Sequence, residues 1–263
     1  MAASFAPMPA EASSITDDAV LDGRLRLRQP RGGHRVGHDA ILLAAATGAR
    51  AGEHAVDLGA GVGAAGLALA ARIPGVTVTL VEVDATLAAL ANENAERNGL
   101  AGRARALALD VAAPARTFAA AGLASGSAHR VLMNPPFNDP VRHRVSSDPR
   151  RRAAHAAASA GLGVWVACAR RLLQPNGTLT LIWRADGLAE VLAGLAGFGG
   201  VGVLPVHPRP DADAIRILVR AEKGSRAPLR LFPGLVLNDA AGEPSAQAEA
   251  VLRQGAALPL ARG

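Results

Sequence analysis

The chain has 263 residues, 50% of them hydrophobic and 19% charged, with a formal net charge of +6. That length fits one large α/β domain, and the apolar content excludes a wholly disordered chain. A single cysteine, Cys168, excludes an internal disulfide framework and a Cys-rich zinc module, and the seven histidines are scattered, so no structural metal site is expected.

The sequence pI of about 11.1 overstates the basic character. There is no tyrosine and Lys223 is the only lysine, so nothing titrates near pH 10 to pull it down. The surplus still permits an anionic partner such as RNA. With aromatics at only 3%, any base stacking must rest on very few residues. No basic segment precedes an apolar run at the N-terminus. The weakly polar stretch 191–206 is short and glycine-rich. These features set the expectation of a soluble, cytoplasmic protein.

Residues 1–20 lack periodicity and read as a flexible tail. Asp22-Gly23 signals a turn, and 24–28 alternates Arg with Leu as a half-buried strand does. A glycine-rich loop (31–37) and a helix (38–46) complete an N-terminal cap segment, 21–48. Strands are then expected at 54–58, 76–83, 103–109, 129–133 and 178–183, with two more at 200–206 and 214–219. Helices fall between them at 64–72, 85–98, 115–123, 151–173 and 186–197. Asp84 reads as an N-cap and Asn98-Gly99 as a stop.

Strands alternating with helices over short links specify a parallel sheet covered on both faces. The expected fold class is therefore α/β: one Rossmann-like domain, 49–224, around a seven-stranded, mostly parallel sheet. Residues 225–263 break the pattern and are expected to pack on it as a C-terminal extension with one helix (245–253). Cys168, Trp165 and Trp183 read as core. His155 reads as a surface helix residue.

The segment Asp57-Leu58-Gly59-Ala60-Gly61-Val62-Gly63-Ala64-Ala65-Gly66 lies between a strand and a helix. Glycines there let the backbone approach a ligand and leave the helix N-terminus open. Two readings fit. Gly61 to Gly66 satisfies the G-x-G-x-x-G pattern of dinucleotide sites, with Glu82 at the end of the next strand. A carboxylate at Asp57 would, however, repel a pyrophosphate. It would attract S-adenosylmethionine (SAM), which carries an ammonium and a sulfonium. Glu82 then suits the ribose hydroxyls and Asp110 the adenine amino group. Three acids at successive strand tips, with the glycines, favour SAM.

Asn134-Pro135-Pro136-Phe137 follows the fourth expected strand directly. The prolines stiffen the turn and remove two N–H donors. A side-chain amide oxygen and a backbone carbonyl can accept both hydrogens of an exocyclic amine, and Phe137 can stack on its ring. These groups suit methylation of a planar amino nitrogen.

With these motifs the chain resembles the class I SAM-dependent methyltransferases of the Asn-Pro-Pro-aromatic type, over about residues 21–220. Within them it resembles the bacterial tRNA (adenine-N6)-methyltransferases acting on adenine 37 of a valine tRNA. The resemblance rests on 28–43, 57–63, 81–84, Asp110 and 134–137. It implies SAM as cofactor, lined by Asp57, Gly59, Gly61 and Gly63, with Glu82 at the ribose and Asp110 at the adenine. Asp39 is implied to close the methionine end. Asn134, Pro135, Pro136 and Phe137 are implied to hold the target base. Many such enzymes carry Tyr at the place of Phe137. Relatives with Phe there include methyltransferases of guanine N2 in ribosomal RNA, so that acceptor and a protein glutamine amide stay open beside tRNA adenine.

Two arginine groups are candidate RNA contacts. One is Arg24, Arg26, Arg28, Arg31 and Arg35. The other follows the Asn-Pro-Pro-Phe tip: Arg142, His143, Arg144, Arg150, Arg151 and Arg152. Such a rim gives affinity through phosphates rather than base readout.

Overall fold

The computed structural model describes residues 15–31, 36–136 and 161–262. Strands β1 (Ile15–Val20) and β2 (Leu25–Pro30) form an antiparallel hairpin. The remaining strands are β3 (His54–Leu58), β4 (Thr77–Glu82), β5 (Ala104–Ala108), β6 (Ala128–Met133), β7 (Leu173–Arg184), β8 (Phe198–His207), β9 (Arg216–Lys223), β10 (Arg230–Leu231) and β11 (Leu235–Val236). The helices are α1 (His38–Ala46), α2 (Ala64–Arg72), α3 (Ala85–Arg97), α4 (Ala115–Ala120), α5 (Gly161–Leu172), α6 (Leu188–Gly194) and α7 (Ala246–Leu252).

The main sheet runs β10-β8-β9-β7-β6-β3-β4-β5, with β11 also on β8. Pairing from β5 to β7 is parallel, and β9 is antiparallel to both neighbours. The chain starts at β3, moves outward through β4 and β5, and returns to β6 on the other side of β3. The strand order therefore reverses between β3 and β6, and a crevice opens at their C-terminal ends.

The expected seven-strand core is β3 to β9. Two short strands from the extension, β10 and β11, enlarge it to nine among the described residues. Their two-residue length leaves no periodic signal in sequence. Apolar clusters cover both faces. One includes Leu43 of α1, Leu67 of α2 and Val251 of α7. The other includes Phe118 of α4, Trp165 of α5 and Val191 of α6. Cys168 and Trp183 are buried there as expected. Burial pushes the Cys168 thiol up to about 11, so it is an inert core thiol.

Several boundaries differ from the sequence reading. The tail expected over 1–20 holds a strand from Ile15 onward. Its Thr and Asp residues hide the pattern, because the side chains satisfy one another. Thr16 donates to Asp18 (2.8 Å), whose carboxylate also takes the Gln29 amide (2.5 Å). The hairpin turns through Leu21, Asp22 and Gly23, all at positive φ (53°, 56° and 79°). The link left between the expected helix 151–173 and strand 178–183, Pro175-Asn176-Gly177, is already part of a strand. It lies inside β7 as an irregularity, with Asn176 at φ 62°. The helix expected at 186–197 is a 3-10 turn followed by the shorter α6. Of the helix expected over 151–173, the described part is α5; His155 lies outside the described residues.

The hairpin is tied to the domain by an amide ladder on α3. Asp84 caps this helix by accepting from the Thr86 and Leu87 N–H groups. Ten residues on, Asn94 is fully buried. Its Oδ1 accepts from Arg28 N (2.8 Å), and its Nδ2 donates to the carbonyls of Arg28 and Val62 (both 3.0 Å). One turn later Asn98 repeats the pattern on Arg26 (2.9 and 2.8 Å). Two asparagines four apart on one helix face thus pair with alternate backbone units of β2, as a neighbouring strand would. The bond to Val62 couples the hairpin to the glycine loop.

Asn94→Ala leaves the Arg28 N–H and two carbonyls without partners in a buried place. It is expected to cost about 3 kcal/mol by urea denaturation, and to expose residues 15–30 to limited proteolysis. Asn98→Ala, nearer the surface, should cost less.

Candidate active site

The glycine loop is shaped by two carboxylates. Asp57, on β3, is 2% exposed, and its Oδ2 accepts from Gly66 N in α2 (2.8 Å). The acid sits one residue inside the strand, beneath the loop. Glu82 ends β4. Its Oε2 accepts from Gly61 N (2.8 Å) and its Oε1 from Asp84 N (3.0 Å). One acid thus holds the start of α2 from below, and the other holds the loop apex from the side. The carbonyl of Val81 completes the frame by accepting from Gly59 N (2.8 Å) and Ala60 N (3.0 Å).

Two glycines here are required for different reasons. Gly59 has φ +71°, and a Cβ on it would sit 2.7 Å from the Trp165 ring. Gly61 has φ +56° and opens to space, with nothing within 4 Å of where a side chain would begin. The first glycine permits close packing below. The second leaves room above, where a ligand backbone approach needs it. Gly63, at φ +90°, leads into α2. Trp165 read as simple core in sequence; its role against Gly59 depends on where α5 lands.

Burial, the largest influence, pushes the Asp57 carboxyl up to about 7. The Gly66 N–H opposes the rise, and the nearby Glu82 charge adds to it. A folded pKa above the unfolded value means that the unfolded chain loses this proton first as pH rises. The Asp57 contribution to stability is therefore present below about pH 4 and declines until about pH 7.

The remaining candidates are placed as follows. Asp110 lies two residues beyond β5, exposed, with Oδ1 accepting from Ala112 N (2.8 Å). Asp39, in the first turn of α1, pairs with Arg216 of β9 (3.0 Å). This ion pair joins the cap segment to the sheet, and no local pattern in the sequence marks Arg216 as its partner. Leu58 of β3 stands opposite Met133 of β6. Gly59 and Asn134 therefore leave the sheet side by side at the switch point. Pro135 is buried, Asn134 half-buried and Pro136 exposed. Phe137, Arg142, His143, Arg144, Arg150, Arg151 and Arg152 lie outside the described residues, as does Arg35. In the first arginine group, Arg26 pairs with Asp17 (3.3 Å) and Arg28 with Glu93 (3.6 Å), which offsets part of its charge.

A family model described as the methyltransferase small domain matches residues 34–197. The chain belongs to this methyltransferase family. It is 27% identical over 206 residues to a protein of Dyadobacter fermentans named tRNA1(Val) (adenine(37)-N6)-methyltransferase, covering 76% of this chain and 80% of that one. A Porphyromonas gingivalis protein of the same name is 29% identical over 161 residues, 60% of this chain and 61% of that one. Among solved structures, an Agrobacterium tumefaciens protein described as a predicted O-methyltransferase is 32% identical, with a TM-score of 0.70. That match covers 84% of this chain and 98% of the other. Pyrococcus horikoshii TYW2, solved in complex with MeSAdo, shares the fold at 14% identity and a TM-score of 0.54, over 81% of this chain and 73% of that one.

The protein is thus a SAM-dependent methyltransferase, and the residues present fit the cofactor. Gly61 leaves open room beside Glu82. Each Glu82 oxygen accepts one backbone N–H and keeps lone-pair capacity for a hydroxyl donor. The family match decides between the two readings of the glycine loop, in favour of SAM over a dinucleotide. Among the described residues no group of three or more His, Cys, Asp or Glu side chains could hold a metal ion. No helix among them is long and apolar enough to cross a membrane.

Asp57→Asn keeps an oxygen for Gly66 N but removes the titration. In urea denaturation of the cofactor-free protein, the parent should lose up to about 4 kcal/mol between pH 4 and pH 7 through this group. The variant should show a flatter profile and be the more stable of the two at pH 8.

Proposed function

We propose that the protein methylates an exocyclic amino group of an RNA base, adenine N6 in a tRNA, through the Asn134-Pro135-Pro136-Phe137 tip. The observation that carries this reading is the Leu58–Met133 register, which brings Asn134 out of the sheet beside the glycine loop. The two curated relatives named as tRNA adenine-N6 methyltransferases support the same substrate class.

In this reading Glu82 takes the cofactor's ribose and Asp110 its adenine. Gly59, Gly61 and Gly63 form the floor, and Asp39 borders the methionine end. Asp57 acts from beneath, by holding the loop through Gly66. Bound SAM supplies an electrophilic sulfonium methyl group.

The chain's own residues orient the acceptor. The Asn134 amide oxygen and the Pro135 carbonyl accept the two amino hydrogens and turn the nitrogen lone pair toward the cofactor. Phe137 stacks on the base. Catalysis then comes from positioning and preset dipoles. The amino nitrogen would bond to the methyl carbon as the carbon–sulfur bond of SAM breaks, S-adenosylhomocysteine would leave as the neutral thioether, and the nitrogen's extra proton would pass to water. A hydroxyl acceptor would need a base at the tip. Asn134 offers an acceptor that cannot take the proton away, which favours an amine. An unpaired anticodon-loop base suits this pocket, because it leaves its stack at lower cost than a base in a duplex. Arg142, Arg144, Arg150, Arg151 and Arg152 follow the tip in sequence and supply phosphate contacts.

The test is transfer of labelled methyl from SAM to unmodified total RNA, followed by nucleoside digestion. Label in N6-methyladenosine of the tRNA fraction is expected. Asn134→Ala should reduce transfer by about 100-fold or more and leave SAM affinity unchanged. Full activity in that variant would overturn the site. Label in N2-methylguanosine would move the substrate to the ribosomal RNA class. Label only in protein would move it to a glutamine amide.

A further inference from the structure

A second loop borders the cofactor site. It follows β5, the strand beside β4, and begins where Leu109 N donates to the Glu82 carbonyl (2.9 Å). Asp110 therefore leaves the sheet next to the end of β4, on the side away from β3 and the glycine loop. The turn closes on itself. The Asp110 carbonyl accepts from Ala113 N (2.9 Å), and Oδ1 accepts from Ala112 N (2.8 Å). The side chain is exposed, and Oδ2 has no hydrogen-bond partner among the described residues. One oxygen is thus fixed by the turn and the other is left for a ligand donor.

These local bonds shape the turn, but a side chain from α5 ties it to the rest of the domain. Arg171, half-buried in the last turn of that helix, donates from Nη2 to the Ala113 carbonyl (3.1 Å). Its guanidinium carbon lies 4.8 Å from the centre of the Phe118 ring of α4, and Nη2 is 3.5 Å from Cys168 Sγ. Val111, next to Asp110, is buried in the same cluster as Phe118 and Cys168. The Cys168 thiol feels the charges of both Arg171 and Asp110, so both stand close to it. Arg171 Nε is buried without a partner. An orphaned guanidinium N–H costs stability that an unbranched apolar side chain in its place would not. Packing alone therefore does not call for an arginine here, whereas the bond to Ala113 does. The same helix sets Trp165 against Gly59, so α5 backs both loops of the cofactor site.

We propose that Arg171 is a positioning residue for adenine recognition, holding the Ala113 carbonyl so that the open oxygen of Asp110 meets the adenine amino group of the cofactor. The inference rests on the assignment of Asp110 to the adenine. It adds that the selectivity of that contact is set from α5, through a residue that does not touch the cofactor. Arg171 acts on one end of the ligand only, because its bond lies in the Asp110 turn and not in the glycine loop.

The experiment is calorimetric titration of the full chain with S-adenosylhomocysteine and with S-inosylhomocysteine, which carries a carbonyl oxygen in place of the amino group. The parent should prefer the adenosyl ligand by about tenfold or more, the worth of a hydrogen bond to a charged group. Arg171→Met should cut that preference to about threefold or less and leave the affinity for the inosyl ligand unchanged, since that ligand gives Asp110 no amino hydrogen. Arg171→Lys, which keeps a cation and a donor, should fall between the two, and it carries the test if the methionine variant does not fold. A full preference in the Arg171 variants, or an equal loss for both ligands, overturns the proposal. Asp110→Ala separates the two ways of failing. If the parent has no preference, or Asp110→Ala keeps it, the Asp110 assignment falls and the proposal with it. If Asp110→Ala loses the preference while the Arg171 variants keep it, only the role of Arg171 falls. No RNA enters the measurement, so its outcome is independent of the methyl acceptor.

Discussion

Two carboxylates hold the amides of a glycine loop, and the rest of the site takes its position from that loop. Asp57 does so from a fully buried place, where ionisation is opposed by desolvation and by the Glu82 charge. Its hydrogen bond to Gly66 sets where α2 begins, and Glu82's bond to Gly61 sets how far the apex stands above β4. Asp57 works against folding electrostatically when ionised. Its retention in the core is intelligible because it holds the start of α2. A loop built for phosphate would show bare N–H groups instead.

The second constraint is topological. Reversal of strand order between β3 and β6 brings two motifs together that lie more than seventy residues apart in sequence. Register does the rest, because Leu58 opposite Met133 makes the glycine loop and the Asn-Pro-Pro turn emerge at one level. The layers on either side then enforce it. Trp165 from α5 closes on Gly59 from one face, and Asn94 from α3 joins Val62 to the hairpin from the other. The Asp39–Arg216 pair links α1 to β9 at the same end of the sheet. These ties give the open crevice a rigid frame.

The same sheet offers a different surface at its other edge. There the strands begin and helix α2 ends, Arg105 is exposed, and Glu53 is paired with Arg130. One end of the sheet thus carries the acids of the cofactor site, while arginines gather near the other. The asymmetry follows from which residues flank each strand: Asp57, Glu82 and Asp110 at the ends, Arg103 and Arg105 near the start of β5.

Much of this was legible in the sequence, because the signals are local. Alternation of strands and helices specified the layered sheet. Gly-rich spacing after a short strand specified the loop, and Asp84, Asn98-Gly99 and Ser245 marked helix ends, Ser245 by accepting from Ala248 N. Asn134-Pro135-Pro136 announced a stiff tip after a strand. Other features depended on partners distant in the chain, and no local pattern encodes them. Ile15–Val20 is polar and becomes a strand only through pairing with β2. Strands β10 and β11 exist only because β8 offers an edge. Asn94 and Asn98 look like ordinary surface amides until the hairpin meets them, and Arg216 has no visible role until Asp39 arrives. The sequence by itself determined the main strands and helices, the glycine loop with its acids and the stiff Asn-Pro-Pro turn, since each rests on residues within a few positions of one another. Only the tertiary structure decided that Asp57 is buried, that Gly59 must pass beneath Trp165, and that loop and tip share one crevice, since burial and register are properties of neighbours brought together by the fold.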